Sequence, residues 1–187
     1  EEYSCEGSKA VGSRRIGCSH VHGNITLKDA VAKSCNVAMM NIAYKEGAKN
    51  FYYYQNQFGF GRKTGIDLPG EAGTIMHQKE NIGLVELATI SFGQSFQITP
   101  IQLAATVSSL INGGRRVTPH LAVKTIDEEG NIKRVYNYDD DTQILSEETS
   151  KTLRGILEEV VADGTGKNGA VEGFRIGGKT ATSETLP

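Results

Sequence analysis

The chain has 187 residues, a formal net charge of −2 and no Trp. Its 38% hydrophobic and 22% charged residues form a globular balance that excludes wholesale disorder. The near-neutral charge excludes a nucleic-acid binder held by a basic face, and no apolar run approaches the ~18 residues that a bilayer span needs.

Residues 1–24 are rich in Gly and Ser and read as loop or short strands. They hold Cys5, Cys18, His20 and His22, a C-x12-C-x-H-x-H set. Soft thiolates and imidazoles in one short stretch suit tetrahedral Zn2+. Three readings stay open: a structural zinc site, a Cys5–Cys18 disulfide, or free thiols. His20 and His22 would face opposite ways in an extended strand, so ligation by both requires a turn.

Thr26-Leu27-Lys28-Asp29 predicts a capping box. Leu27, Ala30, Val31 and Ser34 then share one helical face, which points Ser34 toward whatever that helix covers. A second helix is expected from Val37 to Lys45, closing at Gly47, and a third from Asn50 to Gln57. Tyr52-Tyr53-Tyr54 on the third reads as packing. Residues 62–83 carry Gly65, Pro69-Gly70 and Gly73 and read as an ordered surface excursion. Glu80 to Ile90 reads as a short helix. Thr99-Pro100-Ile101-Gln102 starts another, with an apolar stripe of Leu103, Val107, Leu110 and Ile111 and a stop at Gly113-Gly114.

Leu121 to Ile126 and Ile132 to Tyr136 flank a hairpin turn at Asp127–Asn131. Asp139-Asp140-Asp141 reads as a solvated turn, with a weak cation site as the alternative. Ser146 caps a long amphipathic helix with Leu153, Ile156, Leu157, Val160 and Val161 on one side. Gly164-Thr165-Gly166 ends it, and Phe174 to Ser183 reads as a strand. His77 and His120 are isolated and carry no assigned role. The fold class is α/β in the α+β sense, an antiparallel sheet packed by helices.

Two short motifs carry chemistry together. Ser34-Cys35-Asn36 is an S-x-N triplet, and Lys179-Thr180-Ala181-Thr182 follows two glycines. They resemble two of the three signatures of penicillin-binding proteins and serine β-lactamases. The resemblance continues collinearly through Phe58-Gly59-Phe60-Gly61, Thr64 to Glu71, Ser91-Phe92-Gly93-Gln94, Ile98 to Ala104, Asn112-Gly113-Gly114, Pro119-His120-Leu121 and Gly164-Thr165-Gly166. It is best with the class B, monofunctional transpeptidases. The wording from Gly178 to Pro187 is similar to the division or sporulation branch of Firmicutes.

The resemblance implies a β-lactamase/transpeptidase-like fold, incomplete at both ends. It implies a serine acyl-enzyme mechanism on peptidoglycan stem peptides ending in D-Ala-D-Ala, with β-lactam binding. Ser34 would relay a proton, Asn36 would bond the substrate amide and the catalytic Lys, and Lys179 would supply positive potential. Thr180 and Thr182 would bond the substrate carboxylate, with Ala181 beside them and a backbone oxyanion donor at Thr182. No organic cofactor is implied. Other cell-wall synthesis proteins are expected partners, and nucleic acid is not. The implied location is the extracytoplasmic face of the cell membrane, anchored by a segment outside these residues.

Two features depart from the family pattern. No Ser is followed three residues later by Lys, so the nucleophile motif is expected upstream of Glu1 in a larger polypeptide. Ala181 stands where Gly is usual and adds one methyl. A literal Lys63-Thr64-Gly65 reads as a surface turn, and Cys35 as a small buried residue. The competing readings are a β-lactamase, a D,D-carboxypeptidase or a β-lactam sensor, and a catalytically dead scaffold.

Overall fold

The computed structural model describes residues 1–138 and 142–182. The Asp139–Asp141 turn and residues 183–187 lie outside the described residues. Two compact units emerge: residues 1–54, 77–96 and 152–187 form the first, and residues 55–76 and 97–151 the second.

The first unit opens with four short strands, β1 (Glu2–Cys5), β2 (Ser8–Val11), β3 (Arg14–Gly17) and β4 (Gly23–Thr26). β1 pairs antiparallel with β4, setting Cys5 opposite Gly23, while β2 pairs with β3. This places Cys5 at the end of one ladder, Cys18 just past the other and His22 just before β4. α1 (Leu27–Ala32) follows at once. The expected capping box is present: Asp29 N–H donates to Thr26 Oγ1 at 3.2 Å, and Thr26 N–H donates to the Asp29 carboxylate at 3.3 Å. α2 (Asn36–Gln57) is interrupted at Gly47, where φ is +77°. The span is therefore two helices that meet at a kink at Gly47, as expected. A 3-10 turn at Lys79–Asn81 and α3 (Leu84–Ser91) replace the single helix expected from Glu80, because Gly83 separates them. The core joins Cys5, Val11, Ile25, Ala30, Cys35, Val37, Ala38, Met40 and Ala88.

The second unit contains α4 (Pro100–Ile111), capped by Thr99, whose hydroxyl accepts from Gln102 N–H at 3.2 Å. The expected apolar stripe of α4 is not its packed face: Leu103, Val107 and Ile111 are exposed, and Gln102, Ala105, Thr106 and Ser109 are buried. The physical reason is that these polar groups have partners. Gln102 Nε2 donates to the Phe58 carbonyl at 3.0 Å and to Thr106 Oγ1 at 3.2 Å, and Ser109 donates to the Ala105 carbonyl at 2.8 Å. β5 (Lys124–Ile126) and β6 (Ile132–Val135) form the expected hairpin, with Asn131 N–H donating to Asp127 at 2.7 Å. The excursion over residues 62–83 is ordered in part by carboxylates. Glu71 accepts from Thr64 N–H and hydroxyl at 2.6 and 2.7 Å. Asp67 accepts from Leu121 and Ala122 N–H at 2.8 and 2.7 Å. Lys63-Thr64-Gly65 thus lies in irregular chain and on no strand.

α5 (Glu147–Ala162) begins after Ser146, whose hydroxyl accepts from Thr149 N–H at 3.1 Å. From Thr152 onward it belongs to the first unit, where Ile156, Val160 and Val161 are buried. One expectation fails on the sheet. The described strands form three separate two-stranded antiparallel ladders and no single central sheet. The described part of Phe174–Ser183 has no strand partner and is instead tied to α5 through Gly178 N–H, which donates to the Leu157 carbonyl at 3.1 Å. A strand is defined by its ladder, and this segment bonds a helix.

The capping box yields a first prediction. Thr26→Ala lowers stability by about 0.5–2 kcal/mol in urea denaturation, and Thr26→Ser restores most of it. The Thr26 hydroxyl and N–H hold the Asp29 carboxyl below the usual Asp value. Its contribution is therefore present above the ordinary Asp pKa and is lost as pH falls through the depressed one. Equal acid sensitivity in the wild type and Thr26→Ala counts against this cap.

Candidate active site

The site begins at the joint between α1 and α2. After α1 the chain turns in a Schellman motif. Cys35 N–H donates to the Ala30 carbonyl at 2.9 Å, and Ser34 N–H donates to the Val31 carbonyl at 3.2 Å. That motif requires a left-handed residue at its centre, and Ser34 takes it, with φ of +52°. Glycine is the usual occupant; a serine there is strained and marks a position where the side chain matters. Ser34 therefore does not continue the α1 face, contrary to the helical reading. It projects from the joint.

Cys35 then caps α2. Met39 N–H donates to the Cys35 carbonyl at 3.1 Å, and Ala38 N–H donates to Cys35 Sγ at 3.4 Å. Asn36 starts the first turn and donates from Nδ2 to the Gly17 carbonyl at 3.1 Å.

Two further segments of the first unit bring groups to Ser34, and a third bonds the Lys179 segment. Lys179 Nζ donates to Ser34 Oγ at 2.5 Å, across 145 residues of sequence. The hydroxyls of Thr165 and Thr180 lie 3.3 and 3.4 Å from Ser34 Oγ and 2.6 Å from each other. Gln94 Nε2 donates to the Thr182 carbonyl at 3.0 Å. Partial burial lowers the Lys179 pKa from the usual lysine value. Ala181 and Thr182 are exposed beside this cluster.

Glycines permit the approach. A Cβ on Gly164 would meet the Ala32 carbonyl oxygen at 2.5 Å and the Val160 carbonyl oxygen at 2.7 Å. The next residue, Thr165, donates its N–H to Ala32 at 3.0 Å. A Cβ on Gly177 would stand 3.2 Å from Leu157 Cβ, so the glycine lets the terminal segment lie close on α5.

The metal candidates also converge, with one exchange. Cys5 Sγ, Cys18 Sγ, His22 and Cys35 Sγ place their ligand atoms within 4.8 Å of one another. This Cys3His cluster can hold a metal. His20 is outside the set: its carbonyl lies 3.7 Å from Cys5 Sγ, and its ring centroid is 6.1 Å from that of His22. The three cysteines are free thiols in this structure, so the Cys5–Cys18 disulfide is not formed. Burial pushes the Cys35 thiol up to about 12. Burial raises Cys18 too, but the backbone N–H groups of Val37, His20 and Asn36 outweigh it and lower the thiol. Burial, then the charges of His20 and Lys33, lower His22.

The sequence-predicted Ser34, Lys179 and Thr180 thus meet, with Asn36 anchored alongside on Gly17. Sequence reasoning gave no role to Thr165, Gln94 or Cys35. Thr165 and Gln94 stood inside quoted motifs; Cys35 stood inside the S-x-N triplet, too far along the chain from Cys18 for a local ligand pattern.

Comparison with known proteins fits this arrangement. All 187 residues match the family described as penicillin binding protein transpeptidase domain. The chain belongs to that family. It is 41% identical, over its whole length, to stage V sporulation protein D of Bacillus subtilis, and spans 29% of that protein. It is 30% identical over 96% of its length to penicillin-binding protein PbpB of Mycolicibacterium smegmatis, again spanning 29% of the relative. Among solved structures, it aligns with penicillin-binding protein 3 of Mycobacterium tuberculosis at a TM-score of 0.92 and 26% identity, covering 100% of this chain and 44% of that one. The class B resemblance read from the motifs agrees with these relatives. The fold is part of the transpeptidase fold, with mixed helices and small antiparallel ladders.

The strained joint yields a second prediction. Ser34→Gly is more stable than Ser34→Ala by roughly 0.5–1 kcal/mol, the left-handed cost less the extra unfolded freedom of glycine. Urea denaturation of the two variants measures it. Equal stability would mean that residue 34 is not held left-handed in solution.

Proposed function

We propose that this chain supplies the S-x-N and K-T-A-T parts of a peptidoglycan D,D-transpeptidase. The observation that carries the reading is the convergence of Lys179, Ser34, Thr165 and Thr180 on one point, from segments far apart in sequence. Since no Ser-x-x-Lys occurs in the 187 residues, the reading takes the nucleophile from elsewhere in the parent protein.

In this mechanism the serine oxygen attacks the penultimate D-Ala carbonyl of a stem peptide. The new C–O bond forms and the peptide C–N bond breaks. The proton leaves the serine and reaches the departing D-Ala amine through Lys179-bound Ser34 Oγ. An amine of a second stem peptide then attacks the ester, forming the cross-link amide and returning the serine hydroxyl. Lys179, with Thr180 and Thr182, attracts the terminal carboxylate of the substrate. Asn36 bonds the stem-peptide amide, and the Thr182 N–H serves the oxyanion. Ala181 leaves room for the peptide at the cost of one methyl.

β-Lactams acylate the same serine under this reading. Structures of the Mycobacterium tuberculosis relative in complex with aztreonam and with ampicillin support that class of ligand. The parent works on the extracytoplasmic face of the membrane with other cell-wall synthesis proteins. No described helix is long and apolar enough to cross a membrane, so the anchor belongs to another segment. A role in sporulation follows the likeness to the Bacillus subtilis protein. No organic cofactor enters this chemistry, and Cys5, Cys18, His22 and Cys35 would hold a structural Zn2+.

Labelled penicillin tests the reading on the full-length parent. It forms a long-lived adduct, and Lys179→Ala or Ser34→Ala slows acylation by about 10²–10⁴-fold. No adduct would leave the scaffold reading; rapid release would leave a β-lactamase.

A third prediction concerns pH. The Lys179 charge is lost, as pH rises, below the usual lysine value of about 10.4. The acylation rate therefore falls on an alkaline limb that begins early, and Lys179→Arg, still charged, moves that limb upward. An identical limb in both proteins would remove Lys179 from this role.

A further inference from the structure

Among the described residues, Ser34 and Ser95 are the non-glycine positions with a left-handed backbone. Ser34 belongs to the site. Ser95 follows Gln94, and the loop they share is built like the α1–α2 joint. α3 closes in a Schellman motif on Gly93, whose φ is +93°. Gly93 N–H donates to the Ile90 carbonyl and Gln94 N–H to the Thr89 carbonyl, each at 3.0 Å. Ser95, with φ of +66°, then donates its hydroxyl to Thr89 Oγ1 at 3.0 Å. Gln94 is thus fixed from both sides. Such strain persists where the surroundings over-determine it, and it clusters at functional sites.

The side chain aimed by this loop reaches the K-T-A-T run. Gln94 Nε2 donates to the Thr182 carbonyl at 3.0 Å, across 88 residues of sequence. At the other end of the run, Gly178 N–H donates to the Leu157 carbonyl at 3.1 Å. The two bonds bracket Lys179, Thr180, Ala181 and Thr182, a segment without a strand partner among the described residues. A carboxamide suits the outer clamp. It donates to a carbonyl without adding charge beside Lys179, which an ionised carboxylate could not do. The carbonyl has a second lone pair, which stays open to the N–H of a peptide lying along the segment.

We propose that Gln94 is a positioning residue for acylation: by holding the Thr182 carbonyl it fixes the backbone of Thr182 and aims that residue's N–H at the developing oxyanion. Gln94 acts through Thr182 and stays off the reacting atoms. Oxyanion donors work by preorganisation, at about 2.7–3.1 Å from the charge that forms in the transition state. A misplacement of about 1 Å costs roughly 10²-fold in rate. Freedom at Thr182 therefore slows the chemical step more than it weakens ground-state binding. The inference rests on the transpeptidase reading, which gives the Thr182 N–H its oxyanion role.

The test uses the full-length parent with two probes, labelled penicillin and phenylboronic acid. The boronic acid forms a tetrahedral anionic adduct with a serine and carries no amide, so it reads the oxyanion donors alone. Gln94→Ala removes the clamp, and Gln94→Glu keeps its shape but not its donor. Each variant lowers the maximal acylation rate by about 10–10²-fold and weakens the boronic acid by a similar factor. The penicillin concentration at half-maximal rate stays within about threefold, and the circular dichroism is unchanged. Should Gln94→Ala not fold, Gln94→Glu decides. Acylation at the wild-type rate in a folded variant overturns the proposal. So does slow acylation with unchanged boronic-acid affinity, which would put Gln94 on the substrate amide instead. A loss confined to the half-maximal concentration also overturns it. A wild type that is never acylated brings down the transpeptidase reading and this role together, whereas an acylated wild type with unaffected variants brings down the role alone.

Discussion

The hydrogen bond from Cys35 N–H to the Ala30 carbonyl is the constraint on which the site depends. It closes α1 in six residues and obliges Ser34 to be left-handed. The same residue starts α2 by offering its carbonyl to Met39 and its sulfur to Ala38. Three consecutive residues therefore have three distinct backbone tasks: one reverses the chain, one caps and one begins a helix. The Ser34 hydroxyl is aimed by that geometry and not by a helical face. Ala30 and Cys35, both fully buried, pack where the motif's apolar contact belongs.

Two other contacts hold distant segments against the joint. Thr165 N–H bonds the Ala32 carbonyl, and Gly164 occupies a place where any Cβ would strike backbone oxygen. Gly178 N–H bonds α5 at Leu157, with Gly177 flat against the helix. Neither attachment uses a side chain with a charge. Both use backbone groups and the absence of a Cβ, so the ammonium of Lys179 and the hydroxyls of Thr165 and Thr180 remain free to meet at Ser34. Hydrogen bonds among exposed groups add modest stability each, and rigidity of the supporting backbone supplies the placement.

Much of this was legible in the sequence where local chemistry decides it. The Thr26–Asp29 box, the Thr99-Pro100 start and the Asp127–Asn131 turn depend on neighbours within a few residues. The S-x-N and K-T-A-T motifs were also visible, and the structure brings Ser34, Lys179 and Thr180 together. The α4 stripe misled because burial there follows hydrogen-bond partners: Gln102 reaches the Phe58 carbonyl, 44 residues away. The terminal strand misled because β pattern gives no partner. Cys35 was missed as a ligand because a helix separates it from Cys18, and His20 was included because it is near in sequence. The ladder register, with Cys5 opposite Gly23, decides for His22 instead.

The central claim is that the α1–α2 joint is a fixed element and not a mobile loop. Native-state hydrogen exchange at individual amides tests it most directly. The Cys35 and Met39 amides should exchange as slowly as the core of α2, despite lying at a helix boundary beside a half-buried serine. Exchange of the Cys35 amide at the rate of a frayed helix end would contradict the account.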